Sequence, residues 1–241
     1  GINMGRTTAV VMITAMLDEM FYILVVPVTF IIAGAANLFP AAGDSLIFQN
    51  DMSLIRLFVM GYALIIFLTS IIIGGVFISP KGLKRILVRL FSLGILKRWK
   101  DNAEKTGDEI ITTSREMRGK SFWFWLKAFT ATFFSWTARY WVVNCLILAF
   151  TGELSRHFLV YARQLIMWVI LLISPTPGSS GTAEYFFPLF LGPFCSGFES
   201  VITLSWRLIS YYPYLFLGIL VLPVWLRRVY LGNRRSIKFR S

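Results

Sequence analysis

Residues 53–79 read SLIRLFVMGYALIIFLTSIIIGGVFIS. A helix that crosses the ~30 Å hydrocarbon core of a bilayer needs about 20 mostly apolar residues. This run supplies that length, with LFVMGYALIIFL at its centre, and its reading decides the fold: a transmembrane α-helix.

Comparable runs lie on either side. The first span is expected from Thr7 to Ala35, the third from Ser121 to Phe150, the fourth from Leu154 to Ile173 and the last from Ser200 to Leu226. A shorter apolar piece, Thr182 to Phe194, precedes the last span. The chain is 56% hydrophobic and 15% charged. A soluble domain has about 25% charged residues, so a surface this apolar needs lipid as its solvent. The expected fold class is all-α, a polytopic transmembrane helix bundle, with residues 1–241 forming one transmembrane domain.

Charge gives the orientation. The sequence has 24 Lys+Arg against 12 Asp+Glu, a net charge of +12. The cations gather in two places, a basic loop at 80–120 and a basic tail at 227–241. The loop at 36–52 has neither Lys nor Arg. Clusters of this kind between apolar runs follow the positive-inside rule rather than the pattern of a nucleic-acid surface, and no nucleic-acid partner is expected. Loop and tail are therefore expected in the cytoplasm, and 36–52 outside. The third span then leaves the cytoplasm and the last returns to it. The fourth span and the short apolar piece must begin and end outside, as a hairpin that either crosses twice or dips in and turns. Within the basic loop, Leu83, Ile86, Leu87 and Leu90 recur at helical spacing, with Lys81, Lys84, Arg85 and Arg89 on the other side. This spacing predicts an amphipathic helix lying against anionic headgroups. Residues 100–120 mix both charges and are expected as a solvated helix or loop.

The hairpin turn is the most informative segment: Ser174-Pro-Thr-Pro-Gly-Ser-Ser-Gly-Thr-Ala-Glu184. Pro175 and Pro177 stop the preceding helix, while Gly178 and Gly181 allow unusual backbone angles or close approach. Non-helical backbone at membrane depth survives only inside protein or beside a watery cavity, and broken helices mark substrate sites in transporters. A helix restarting near Thr182 directs its free N–H groups into the break, where they favour phosphate or carboxylate. Thr176 is among the hydroxyls there, and Glu184 falls at N3 of the new helix with Gly181 as N-cap. Glu184 then either stabilises the helix start or serves as a pairing carboxylate in the cavity.

Asp18, Glu19, Lys127, Arg139, Arg163 and Arg207 lie inside other spans. Each costs about 2.5–3.5 kcal/mol at a helix centre on the insertion scale, so they should face protein or water. Lys127 is near enough to a helix end to snorkel. Arg139 and Arg207 are the candidates for gripping an anionic headgroup, since a guanidinium binds phosphate bidentately; the alternative is internal ion pairing, such as Arg207 with Glu184. Trp123, Trp125, Trp136, Trp141, Tyr211, Tyr212 and Tyr214 read mostly as belt residues. Cys145 and Cys195 read as inert thiols. With one histidine, His157, no metal cluster or cofactor site is expected.

The chain resembles the transmembrane region of lysylphosphatidylglycerol synthases and their stand-alone, flippase-like bacterial relatives. The resemblance rests on Pro175-Thr176-Pro177-Gly178, Gly181 and Glu184. It is supported by the SWxxRY span from Ser135 to Tyr140, the span with Arg207 and Gly218, and the acidic pair Asp18-Glu19. It implies a multi-pass protein of the bacterial inner membrane that translocates an anionic or aminoacylated phospholipid. Arg139, Arg163, Pro175, Thr176, Pro177, Gly178, Gly181, Glu184 and Arg207 would line its site. Family members usually carry further N-terminal helices, so the chain is expected to be N-terminally incomplete. The bifunctional members' aminoacyl-transferase domain has no counterpart here, so translocation rather than catalysis is expected. Two other readings stay open: a membrane-embedded headgroup transferase using His157, and a non-transporting scaffold that binds a partner through the basic loop.

Overall fold

In the computed structural model, the structure describes residues 4–40, 51–92, 100–152 and 155–238. Residues 41–50 of the loop expected outside, Lys97 and Arg98 of the basic loop, Leu154 at the expected start of the fourth span, and Arg240 lie outside the described residues, as do the side chains of Arg228, Arg234, Arg235 and Lys238.

The described residues are helical, with no strand among them. Helix α1 (Met4–Ala33) ends at Gly34, whose φ of 76° breaks the helical path before the short α2 (Ala35–Leu38). Helix α3 (Asp51–Ile72) runs on into a π-helical turn, Ile73–Ile78. Helices α4 (Pro80–Phe91) and α5 (Lys100–Arg118) form the basic loop. Helix α6 (Phe122–Thr151) is capped at its start by the Ser121 hydroxyl and stops at left-handed Gly152. Helices α7 (His157–Leu171) and α8 (Thr182–Leu191) flank the broken segment, and α9 (Glu199–Ser210) and α10 (Tyr212–Lys238) complete the chain.

Four stretches are long and apolar enough to cross a membrane: Val10–Ala33, Ser53–Ile78, Phe122–Thr151 and Glu199–Arg227. Their side-chain contacts fix their directions. On α1 and α3, Glu19 meets Thr69, Tyr62 reaches Ile23, and Phe30 packs on Phe58, so the pair is antiparallel. On α1 and α6, Asp18 meets Trp136 and Tyr22 meets Tyr140, so these run parallel.

Helix α7 is the centre of the bundle, with ten buried residues from Val160 to Leu171. It touches α1, α2, α3, α6 and α8. At 1.5 Å per residue α7 is roughly 22 Å long and α8 roughly 15 Å. Each falls short of the ~30 Å core, so the pair is a re-entrant hairpin that turns inside the bundle. Val169, close to the end of α7, abuts Gly61 near the middle of α3 so tightly that a Cβ on Gly61 would strike the Val169 carbonyl. That contact puts the hairpin turn at about mid-depth.

The structure corrects three expectations. The last span is not one helix but α9 and α10, broken at Tyr211 (φ −122°, ψ −55°). Pro213 accounts for the break: it lacks the N–H that would continue the ladder, and its ring would clash with the carbonyl four residues before it in an unbroken helix. Beyond it, Tyr212–Arg227 are exposed on every side, as suits a helix solvated by acyl chains. Residues 100–120 are not simply solvated either. Helix α5 buries Ile110, Thr113 and Ser114 and packs on α1 and α4, and the Ser114 hydroxyl donates to the Val76 carbonyl within the π-turn. In α4, Leu83 and Leu87 are half-buried, and Leu83 lies against Gly75, so this part of the apolar stripe faces protein rather than lipid.

Candidate functional site: a broken hairpin held by an ion pair

The break follows from its sequence. Helix α7 ends ahead of Pro175 and Pro177, and Pro177–Ser179 form one 3-10 turn. Gly178 (φ 62°) and Ser179 (φ 53°) take left-handed backbone, and Gly181 (φ 83°) turns the chain into α8. Gly178 cannot be replaced without cost, because a Cβ there would run into the ring and hydroxyl of Tyr211. A chain of hydroxyls stitches the two sides. Ser174 Oγ lies 3.0 Å from Thr176 Oγ1 and 2.8 Å from Thr182 Oγ1. The Ser179 hydroxyl donates to the Leu171 carbonyl (3.1 Å) and the Thr182 hydroxyl to the Ser179 carbonyl (2.9 Å).

Arg207 closes the arrangement from α9. Its Nε donates to Glu184 Oε1 at 2.7 Å and its Nη2 to Oε2 at 3.3 Å, a side-on bidentate pair. Nη1 and Nη2 also donate to the Gly178 carbonyl, and Nη2 to that of Ser179, all at 3.3 Å. The guanidinium lies over Tyr211 (4.7 Å) and Trp206 (5.4 Å). One side chain thus neutralises a carboxylate and satisfies the carbonyls that the break leaves outside a helix. Lysine has neither the reach in two directions nor the planar fork. Glu184 in turn accepts from the Gly181 backbone N–H at 2.7 Å, completing the start of α8.

The partners differ in exposure. The Arg207 side chain is 6% exposed and that of Glu184 39%. The carboxylate lines a groove of about 240 Å³ with Pro188, Ser200, Thr203, Leu204, Arg207 and Tyr212. This groove runs between α8 and α9 from the α9 start at Ser200 inwards to the break.

Pro175, Thr176, Pro177, Gly178, Gly181, Glu184 and Arg207 therefore come together. The other two arginines sit apart from them. Arg163 on α7 donates to the Asn37 carbonyl (2.8 Å) and the Phe190 carbonyl (3.0 Å) and lies over Phe194, towards the far end of α8. Arg139 is exposed on α6, its guanidinium 4.9 Å from the Trp136 ring centre. Trp136 donates its indole N–H to Asp18 (2.8 Å), and Thr69 its hydroxyl to Glu19 (2.6 Å). The acids of α1 are thus held by neutral donors. His157 borders a second cavity of about 220 Å³, with Ser155, Arg156 and Ser196 among its other lining residues.

Several participants escaped the sequence reading. Trp136 and Tyr211, counted with the belt aromatics, are a hydrogen-bond donor to an intramembrane acid and the platform under Arg207. Pro213 was the available signal for Tyr211, because a helix end at that point turns its side chain back towards the break. A buried amide relay was also missed: Gln164 donates to Asn144 Oδ1 (2.9 Å), and Asn144 donates to the His157 carbonyl (2.8 Å). The two amides, Asn144 and Gln164, standing within otherwise largely apolar spans were its only trace.

A family model described as the lysylphosphatidylglycerol synthase TM region matches residues 1–218 of the chain. The match takes in the whole broken hairpin, α9 and the Tyr211 break. Among curated proteins and among solved structures, the comparisons gave no match.

Proposed function

Since the chain belongs to the family of lysylphosphatidylglycerol synthase transmembrane regions, we propose that it translocates a phospholipid with an aminoacylated or anionic headgroup across the bacterial inner membrane. The observation that carries this reading is the half-exposed Glu184 carboxylate, held by a buried Arg207 at mid-depth and facing a groove. A charge there is costly unless it serves a site.

The chemistry assigns roles. The donors of Arg207 are engaged by the hairpin, so Arg207 positions Glu184. Glu184 presents oxygen to the groove, where an aminoacyl ammonium can donate to it by a charge-assisted bond. The headgroup occupies the groove between α8 and α9 while its acyl chains stay in lipid along the exposed flank of α10. Arg163, at the far end of α8, and Arg139, exposed on α6, offset phosphate charge along the path. Movement is passive or follows a gradient. The chain acts as a transporter and not as an enzyme, with the basic loop and tail in the cytoplasm.

The test is transbilayer movement of labelled phosphatidylglycerol and its lysyl derivative in liposomes containing the protein. Translocation above that of empty liposomes is expected, with Glu184→Gln reducing movement of the lysyl lipid at least tenfold while the purified variant keeps its elution profile. Movement of neither lipid above the empty-liposome rate refutes the reading for these substrates.

A further inference from the structure

Helix α4 has two faces with different tasks. It begins at Pro80, directly after the π-turn that ends the second span, and so starts at the membrane boundary. Its inner face is used by the protein. Leu83 rests on Gly75, the Lys84 stem packs against Gly107, and the Lys84 ammonium pairs with Asp108 at 2.6 Å. Lys84 is thereby committed to α5.

The outer face carries two parallel rows. Lys81, Arg85 and Arg89, four residues apart, are all exposed. Beside them Ile86 is 61% and Leu90 51% exposed. The helix sequence PKGLKRILVRLF has no acidic residue, and no ion pair to Lys81, Arg85 or Arg89 is found among the described residues. At the same end of the bundle, the first turn of α6 exposes Phe122 and Trp123, at 75% and 67%, the residue types that sit at headgroup level. A row of cations next to a row of aliphatic side chains matches the boundary between anionic headgroups and acyl chains.

We propose that the outer face of α4 docks on the anionic lipid surface of the membrane in which the chain is embedded. Lys81, Arg85 and Arg89 meet phosphate groups, Ile86 and Leu90 enter the acyl boundary, and Lys84 takes no part. Because α4 follows the π-turn through Ser79, rests on that turn through Leu83 and is clasped by α5, this contact also fixes the height of the α4–α5 pair against the bundle. The proposal is independent of any transport activity.

The test uses the full chain in nanodiscs. A Leu90→Cys variant in a Cys145→Ser background is labelled with an environment-sensitive nitrobenzoxadiazole dye. Phosphatidylglycerol or phosphatidylcholine carrying an acyl-chain nitroxide is then added at equal mole fraction. Quenching should be stronger with the phosphatidylglycerol quencher, by about fivefold in local enrichment for each cation engaged at low salt. The preference should vanish in the Lys81→Gln/Arg85→Gln/Arg89→Gln variant and survive in Lys84→Gln. Equal quenching by both lipids in the parent overturns the headgroup contact. An absence of quenching by either shows that the outer face does not lie on the membrane and overturns the proposal as a whole. Elution profile and melting temperature of each variant establish that it is folded.

Discussion

Replacing Arg207 with leucine removes five N–H donors from the hairpin at once. Breaking a buried ion pair by deleting one partner costs about 3–5 kcal/mol. Here the surviving carboxylate keeps 39% exposure, so water takes up part of its charge and the pair's share falls to about 1–2 kcal/mol. The Gly178 and Ser179 carbonyls each lose a charged donor as well, at about 1 kcal/mol apiece. The sum is about 3–4 kcal/mol. For a chain of this size each kcal/mol moves the melting temperature by about 2–4 °C, giving a fall of about 10 °C for Arg207→Leu in detergent, followed by size-exclusion recovery after heating. Glu184→Gln leaves one oxygen, which can accept from Arg207 Nη2 and the Gly181 N–H in place of Oε2, but it sets an amide NH2 against Arg207 Nε and leaves the buried guanidinium without its counter-charge. With both backbone carbonyls still bound to Arg207 it should cost about 2 kcal/mol. The order matters more than the values, because a guanidinium bound to backbone as well as to Glu184 must be worth more than the carboxylate alone. An Arg207→Leu protein that melts within 2 °C of the parent, or below which Glu184→Gln melts, would refute the assignment of Arg207 as the clamp of the break.

Gly178→Ala should destabilise by about 2 kcal/mol through its left-handed backbone and the clash with Tyr211; adding Tyr211→Ala should recover the steric part but not the backbone strain, a difference that a melting series resolves. Gly61→Ala should force α3 away from the Val169 carbonyl and cost about 1–3 kcal/mol, whereas Gly74→Ala, where a Cβ meets nothing, should be neutral or stabilise by up to about 1 kcal/mol. Asn144→Leu should take the better of two acceptors from the Gln164 amide, which keeps the Val160 carbonyl at 3.3 Å, and the side-chain donor from the His157 carbonyl, for about 1–2 kcal/mol, and Asn144→Leu/Gln164→Leu should cost less than the sum of the single changes. Lys84→Gln should cost no more than an exposed ion pair is worth, about 0.2–1 kcal/mol, as read from the melting series.

The spans were legible because hydrocarbon imposes a length and a composition that residues 53–79 could satisfy in one way. The broken hairpin was legible because two prolines and two glycines interrupt apolar sequence where no soluble loop could be. What escaped was decided by contact rather than by pattern. The Arg207–Glu184 pair stood in the sequence as one of two readings of Arg207, and the structure shows it; what LSWRLIS could not tell was that the same arginine also folds onto the Gly178 and Ser179 carbonyls of the break. In α4, the apolar residues at helical spacing read as one face. The structure divides them, Leu83 and Leu87 to protein and Ile86 and Leu90 to the outside, because helix α5 arrives on one side of them.

Helices α7 and α8 are each too short to span a bilayer, yet α7 is almost wholly enclosed by α1, α2, α3, α6 and α8. This has a bearing on biogenesis. A segment of that length has no stable resting place of its own in lipid, since the carbonyls and N–H groups of its turn would face hydrocarbon. It can settle only once the surrounding helices stand ready to receive it. The last span must also have emerged from the ribosome, because Arg207 follows the turn it completes by about thirty residues. The core of this bundle is therefore the part that the cell assembles last.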